Sequence, residues 1–499
     1  MPAMVRQKPS GRKTIRKQIA RSPTRTYDRC TVDKSAQPAR STEAPVPHSA
    51  GLSPAAAPLP ADAQLRREIG PWSLTVNAVN NTIGGGIFAL PGAIAALLGP
   101  AAVAGYLLCG VAMTLALTCF AEIGSFVRRS GGPIAYIDEA FGPFAGFLAW
   151  VLYCIGCEGG ANAAIANVLV STLALLKPAL AHGVPRVLAL AALFAYLTTI
   201  NIRGLKHAIY VSIVTTIAKL VPLALLIVAG LFAMHWRELR WTGMPTAANF
   251  GEASLLLFFT FQGAEEALCP SAEIRDPGRT VPRAIFASMA MLIVLYAGLQ
   301  VVSQGVLGPT LAHSTATPLA DVAGRIAGQP GRVLLLVCAG VAIFGSIGTS
   351  FISAPRSYFR MAQDRMLPLA LARVHPRYRT PHVSVVVFGI VAFLLSVSGA
   401  FRHLAILSSA SLLCIYLAIC VASLWLRYTR EPEPGAFRAP GGPTVGILGS
   451  VCVVWMLCYI TRREFIAMGV ALAIGTAYYL LRKWVPLQPS PTADSPAQT

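Results

Sequence analysis

From residue 71 onward, long apolar runs alternate with short polar connections rich in Arg and Lys. Twelve runs approach or exceed the roughly 20 residues that a helix needs to cross a bilayer. They lie at about 72–98, 102–127, 143–176, 185–202, 208–234, 252–270, 282–307, 332–358, 382–399, 402–426, 444–461 and 464–482. The third is long enough to tilt strongly or to project from the membrane. Longer polar stretches at about 235–251 and 308–331 read as outer loops. The pattern predicts an all-α integral membrane protein of about 12 transmembrane helices.

Two runs are interrupted. The first carries "NNTIGGGIFALPG", with Gly84, Gly85, Gly86 and then Pro91 inside an apolar segment. Gly costs about 1 kcal/mol and Pro about 3 kcal/mol relative to Ala inside a helix. In hydrocarbon, a broken helix also leaves backbone groups without water, so such a break is tolerated only against protein or a wet cavity. The sixth run, "LLLFFTFQGAEEALCP", moves from apolar residues into Gln262, Gly263, Glu265, Glu266 and Pro270. Segments one and six are corresponding members of two five-helix halves. Paired interruptions in matching positions point to a transporter's midplane site, where amides meet a carboxylate and carbonyls meet a cation. The competing reading of the three glycines is close helix packing.

Composition agrees with a membrane protein. Only 12% of the 499 residues are charged and 55% are hydrophobic, and the mean hydropathy is +0.60. Much of the +20 net charge lies in the first seventy residues and in short loops such as "NIRGLKH", "EIRDPGRTVPR" and "LARVHPRYRTPH". That bias places both termini in the cytoplasm of a multi-pass protein of the cell membrane and argues against a nucleic-acid partner. Residues 1–65 are basic and Pro/Ala/Ser-rich and read as a disordered cytoplasmic tail. The polytopic domain covers 66–485, and 486–499 form a short cytoplasmic tail. Nine of the eleven cysteines sit in apolar runs, including the pair Cys154 and Cys157, and read as small packing residues rather than disulfides, metal ligands or redox groups.

These residues resemble the amino acid–polyamine–organocation (APC) superfamily of transporters. "GGGIF" is similar to its first-helix signature and "FFTFQGAEE" to its sixth-helix F-x-F-x-G-x-E pattern. "AEIRDPGRTVPRAI" is similar to an inner loop of the family, with Asp276 where Asn is commoner. "AEIGSFVRRSGGPIAYIDEAFGP" is similar to another, with Arg129 and Ile134 replacing Pro and Tyr. The resemblance implies a LeuT-type 5+5 inverted repeat over about 71–234 and 252–426, plus two peripheral helices at about 444–482. It implies a secondary active transporter that moves amino acids or related amines by alternating access. The substrate carboxylate would meet amides of Gly84, Gly85 and Gly86, and Ile87 is a further substrate-binding residue. The amino group would meet carbonyls around Thr82 and Ile83 and, across the site, Phe259, Phe261 and Gly263. Of the two phenylalanines, Phe259 is the better candidate for an aromatic gate.

Three ionisable residues at membrane depth are candidates for proton coupling. Lys219 lies about halfway along the fifth run, too deep to snorkel easily. By resemblance its ammonium takes the place of a sodium ion, between first-helix carbonyls and a hydroxyl such as that of Ser350 or Ser353. Glu265 either relays protons or holds the unwound turn by accepting backbone N–H groups. Glu158 departs from the family pattern; it pairs with a cationic side chain, carries a proton, or is protonated against another helix. Glu266 lines the inner pathway, and Glu122, Asp138 and Glu139 support loops. A small cavity lined by Phe259, Phe261 and Ile343 or Phe344 would suit a neutral substrate, whereas an exposed Glu158 would suit a cationic one. No cofactor or metal is expected, and a proton gradient supplies the driving force. An enzyme is disfavoured because the chain carries no H-E-x-x-H, G-x-S-x-G or phosphate-binding loop. Importers, exporters and exchangers share these signatures, and a transport-like membrane sensor is the alternative of a different class.

Overall fold

A computed structural model describes residues 69–482 apart from 128–130, 175–176, 204–207, 241–242, 270–272, 315–316 and 431–434. The tails expected at 1–65 and 486–499, Arg129 and Pro270 all lie outside the described residues.

The described residues are helical, with a single isolated bridge between Ile69 and Ile274. The first apolar run divides into α1 (Pro71–Thr82) and α2 (Gly86–Leu98). A continuous α3 (Ala102–Phe126) follows, then the short α4 (Pro133–Phe141) and α5 (Pro143–Val151). The third run does not stay α-helical. Leu152–Gly159 widen into a π-helix before α6 (Gly160–Ala174). Next come α7 (Gly183–Arg203) and α8 (Ala208–Ala233). The sixth run divides like the first, into α9 (Ala247–Phe261) and a 3₁₀ turn over Ala264–Leu268. The remainder is α10 (Pro277–Leu307), α11 (Pro318–Gln363), α12 (His382–Ser398), α13 (Phe401–Thr429), α14 (Pro443–Leu457) and α15 (Arg462–Arg482).

The stretch at 308–331, expected as a loop, is largely helical. A 3₁₀ turn occupies Gly308–His313, and α11 starts at Pro318 with a kink at Ala327 and Gly328. Polar composition there reflects an exposed surface rather than an irregular backbone.

Among the described residues, seven helical segments are long and apolar enough to cross a membrane, and three shorter apolar helices accompany them. Large apolar side chains face outward along these helices: Phe232 is 89% exposed and Val294 is 72% exposed. In water such a surface would aggregate; in hydrocarbon it is the favourable side. The molecule is a multi-span membrane protein whose interior packs α1 against α10, α2 against α9, and α13 across α3, α6 and α9. α1 also packs against the 3₁₀ turn that follows α9, so the two interrupted runs lie against each other at their breaks.

Candidate functional site

The first break is a tight inverse γ-turn. Ile83 has φ −74° and ψ 81°, and the Gly84 N–H donates to the Thr82 carbonyl at 2.8 Å. α2 begins two residues later, with Gly85 as its cap and no side chain satisfying its first amides. The amides of Gly86 and Ile87 therefore lack a preceding helical carbonyl, and the positive end of α2 is directed at the break.

The glycines serve space here, not unusual torsion. A Cβ on Gly85 would sit 2.8 Å from Cγ1 of Ile343 and 3.0 Å from Cγ2 of Ile165. One on Gly86 would meet the Phe259 ring at 3.0 Å, whereas one on Gly84 would stand 3.4 Å from the Ser346 hydroxyl. Three helices thus close in on the bare backbone.

In the second break torsion matters. Gly263 has φ +113°, in the region that disfavours side chains, and a Cβ there would lie 2.9 Å from the Asn81 carbonyl oxygen. Glu265 holds the turn. Both of its oxygens accept the Gly263 N–H at 3.0 Å, and it accepts the Tyr416 hydroxyl at 2.9 Å. Gln262 is fixed through Ser408, to which its amide donates at 3.1 Å. Tyr296 bridges the halves by donating to the Thr82 carbonyl at 3.2 Å.

Both breaks line one cavity of about 70 Å³. From the first come Thr82, Gly84, Gly85, Gly86 and Ile87; from the second, Phe259, Gly263 and Glu265. Lys219 reaches it from α8 and donates to the Asn80 carbonyl at 3.4 Å. Glu158 reaches it from the π-helix. Lys219, Glu158 and Glu265 are all buried, at 4%, 6% and 1% exposure.

Some expected residues fall elsewhere. Ile83 and Phe261 are fully buried and do not line the cavity. The Phe261 ring packs on Tyr296 at 5.1 Å. Residues two apart on a helix point about 200° apart, so Phe259 and Phe261 cannot both face one cavity. Phe344 is 37% exposed on the outer side of α11 beside Tyr196, while its neighbour Ile343 packs inward on Gly85. Of the two hydroxyls named for Lys219, Ser350 lines the cavity, and Ser353 donates back to carbonyls of its own helix.

Sequence reasoning missed Asn80, Asn81, Asn162, Ser346 and Thr349, all of which line the cavity. Asn80 and Asn81 were legible as a polar pair just before the glycines. Asn162 stands one turn beyond Glu158, and its amide donates to the Glu158 carbonyl at 2.7 Å. A second, larger cavity of about 680 Å³ adjoins the first. Asn81, Glu158, Glu266 and Thr349 line both, so they form the wall between them.

The comparison with known families decides what kind of protein carries this site. The amino acid permease family matches residues 69–476. The chain belongs to that family. Its relatives are transporters. The chain is 28% identical to the serine/threonine exchanger SteT of Bacillus subtilis over 437 residues, covering 85% of this chain and 98% of the relative. It is 30% identical to an uncharacterized transporter of Mycobacterium tuberculosis, covering 84% of this chain and 92% of the relative. It is 26% identical to the branched-chain amino acid permease BcaP of Bacillus subtilis, covering 84% and 93%. As an amino acid permease the protein is a membrane transporter and not an enzyme.

Proposed function

We propose that this permease is a secondary active transporter that moves amino acids or related amines by alternating access, coupled to protons. The observation that carries the reading is the convergence of both helix breaks and Lys219 on one buried cavity. The amides of Gly86 and Ile87 at the positive end of α2 bind the substrate carboxylate. The ring of Phe259 faces the amino end. The fold is a 5+5 inverted repeat over about 71–234 and 252–426, with peripheral helices at about 444–482 and both termini in the cytoplasm.

Lys219 couples transport to protons. Its ammonium stabilises the carbonyl end of α1 at Asn80, and loss of its proton frees that end to move. Uptake of labelled amino acids into proteoliposomes under an imposed pH gradient tests the reading. Lys219→Ala and Lys219→Arg should each abolish the pH-driven component. Unchanged proton dependence in the alanine variant would remove Lys219 from the mechanism.

Exchange is the second reading, favoured by the likeness to a serine/threonine exchanger. Preloading vesicles with unlabelled serine separates the two. An exchanger requires the internal amino acid, whereas a proton-driven importer does not.

A further inference from the structure

The wall between the two cavities carries an unusual set of groups. Glu158, on the π-helix, and Glu266, on the 3₁₀ turn after the second break, both line the two cavities, so their carboxyls share this wall. Two carboxylates sharing one site repel, and holding one proton between the two side chains relieves that repulsion. Asn162 lies beside them, with its Nδ2 3.5 Å from Oε2 of Glu158. Its Oδ1 is buried and has no partner, and the residue as a whole is 1% exposed. An unpaired oxygen in a buried site costs about 1–3 kcal/mol, so its retention calls for an explanation.

The charged and titratable surroundings are defined. Lys219 is turned toward the Asn80 carbonyl on α1. Glu265 is occupied by Gly263 and Tyr416. Tyr153, Cys154 and Cys157 flank the pair on its own π-helix, and Cys269 follows Glu266 in the second break. Arg356, Arg360 and Arg379 line the larger cavity beyond it. What the pair and Asn162 offer the central cavity is therefore acceptors: two carboxyls sharing one proton, and an amide oxygen.

An acceptor-rich pocket of net negative capacity is complementary to an ammonium or guanidinium. We propose that Glu158, Glu266 and Asn162 form the subsite for a cationic side chain, so that this permease takes basic amino acids or diamines. This rests on reading the central cavity as the substrate site. On binding, the substrate's cationic end displaces the shared proton to water in the larger cavity and pairs with both carboxylates. One positive charge leaves and one arrives, so the charge of the wall is conserved. The pair carries one net negative charge in both states, so binding adds no further uncompensated charge at membrane depth.

The test is equilibrium binding of labelled lysine and labelled leucine to the purified full-length protein, at neutral and at acid pH. Lysine should bind more tightly than leucine at neutral pH. The ratio of their affinities should fall by up to about tenfold for each unit of acidification, the limiting slope for one displaced proton. Lys219 lines the same cavity and repels a cationic side chain, so the slope is measured again in Lys219→Ala, where it should persist. Glu266→Gln and Glu158→Gln should each lower the lysine-to-leucine ratio at least about tenfold and flatten its pH slope, since a neutral amide neither holds the proton nor pairs fully with the cation. Leucine binding without lysine binding, or a ratio indifferent to pH, overturns the subsite and leaves the transporter reading intact. Binding of no amino acid of any class would instead remove the transporter reading and the subsite with it. If the variants fail to fold, the pH dependence of the unaltered protein still decides the matter.

Discussion

At the scale of single residues, the three consecutive glycines are not equivalent. Gly85 lies between Ile343 and Ile165 closely enough that a methyl group has no room, whereas Gly84 has an ordinary contact distance to Ser346. Gly85→Ala should therefore destabilise the protein by about 1–3 kcal/mol through overpacking, and Gly84→Ala by less than 1. Thermal unfolding in detergent measures both, and an equal loss would contradict the packing account. Glu265 gives a second prediction. Glu265→Ala leaves the Gly263 N–H and the Tyr416 hydroxyl without their acceptor, at about 1–3 kcal/mol for each buried group. Tyr416→Phe removes only one bond and should cost about 1.5–3 kcal/mol, the range for bonds to a charged group. Both changes should appear in the same unfolding assay, with the alanine variant the weaker protein.

At the scale of elements, the site depends on three departures from regular α-helix: the γ-turn before α2, the left-handed Gly263, and the π-helix over Leu152–Gly159. The first two were legible, because glycines and acids inside an apolar run mark where a helix cannot continue cheaply. The third was not. "LYCIGCEG" contains no proline and reads as ordinary apolar helix apart from Glu158. π-bulges in membrane and soluble helices gather at functional sites, and this one carries Glu158 into the cavity wall. Tyr296 is the tie between the halves of the site. Tyr296→Phe removes its bond to the Thr82 carbonyl, but that carbonyl keeps the Gly84 N–H. The stability loss should therefore be small, about 0.5–1.5 kcal/mol. Transport should slow more than stability falls, because the tie holds the end of α1, at the first break, to α10. Parallel measurement of initial uptake rates and unfolding checks the contrast.

At the scale of the whole molecule, buried ion pairs tie distant segments across the interior. Glu122 on α3 receives a two-pronged contact from Arg427 on α13, at 2.8 and 2.7 Å, with the Ser423 hydroxyl at 3.4 Å. Both side chains are largely buried, so removing one strands the other. Arg427→Ala and Glu122→Ala should each cost about 3–5 kcal/mol, with the double variant less damaged than the sum. Denaturation of the four proteins in the cycle tests that sub-additivity. Glu122 had been expected to support a loop; its partner 305 residues away was invisible to any local reading. The His403 ring and the Glu464 carboxyl, 2.9 Å apart, also connect α13 to α15.

The sequence by itself determined where the chain can be apolar helix and where it must stop. It also determined that two of the stops fall at "GGG" and "FQGAEE". These are local matters of hydropathy, helix propensity and the cost of free backbone groups in hydrocarbon. Only the tertiary structure decided which side chains meet at those stops. It turned Phe259 toward the cavity and Phe261 away, brought Glu158 from the third run to Glu266 in the sixth, and placed Lys219 on the Asn80 carbonyl. The reason is that helix packing, not sequence spacing, sets which face of each segment looks inward. A buried acid or lysine also acquires its chemistry from neighbours that can lie a hundred residues away.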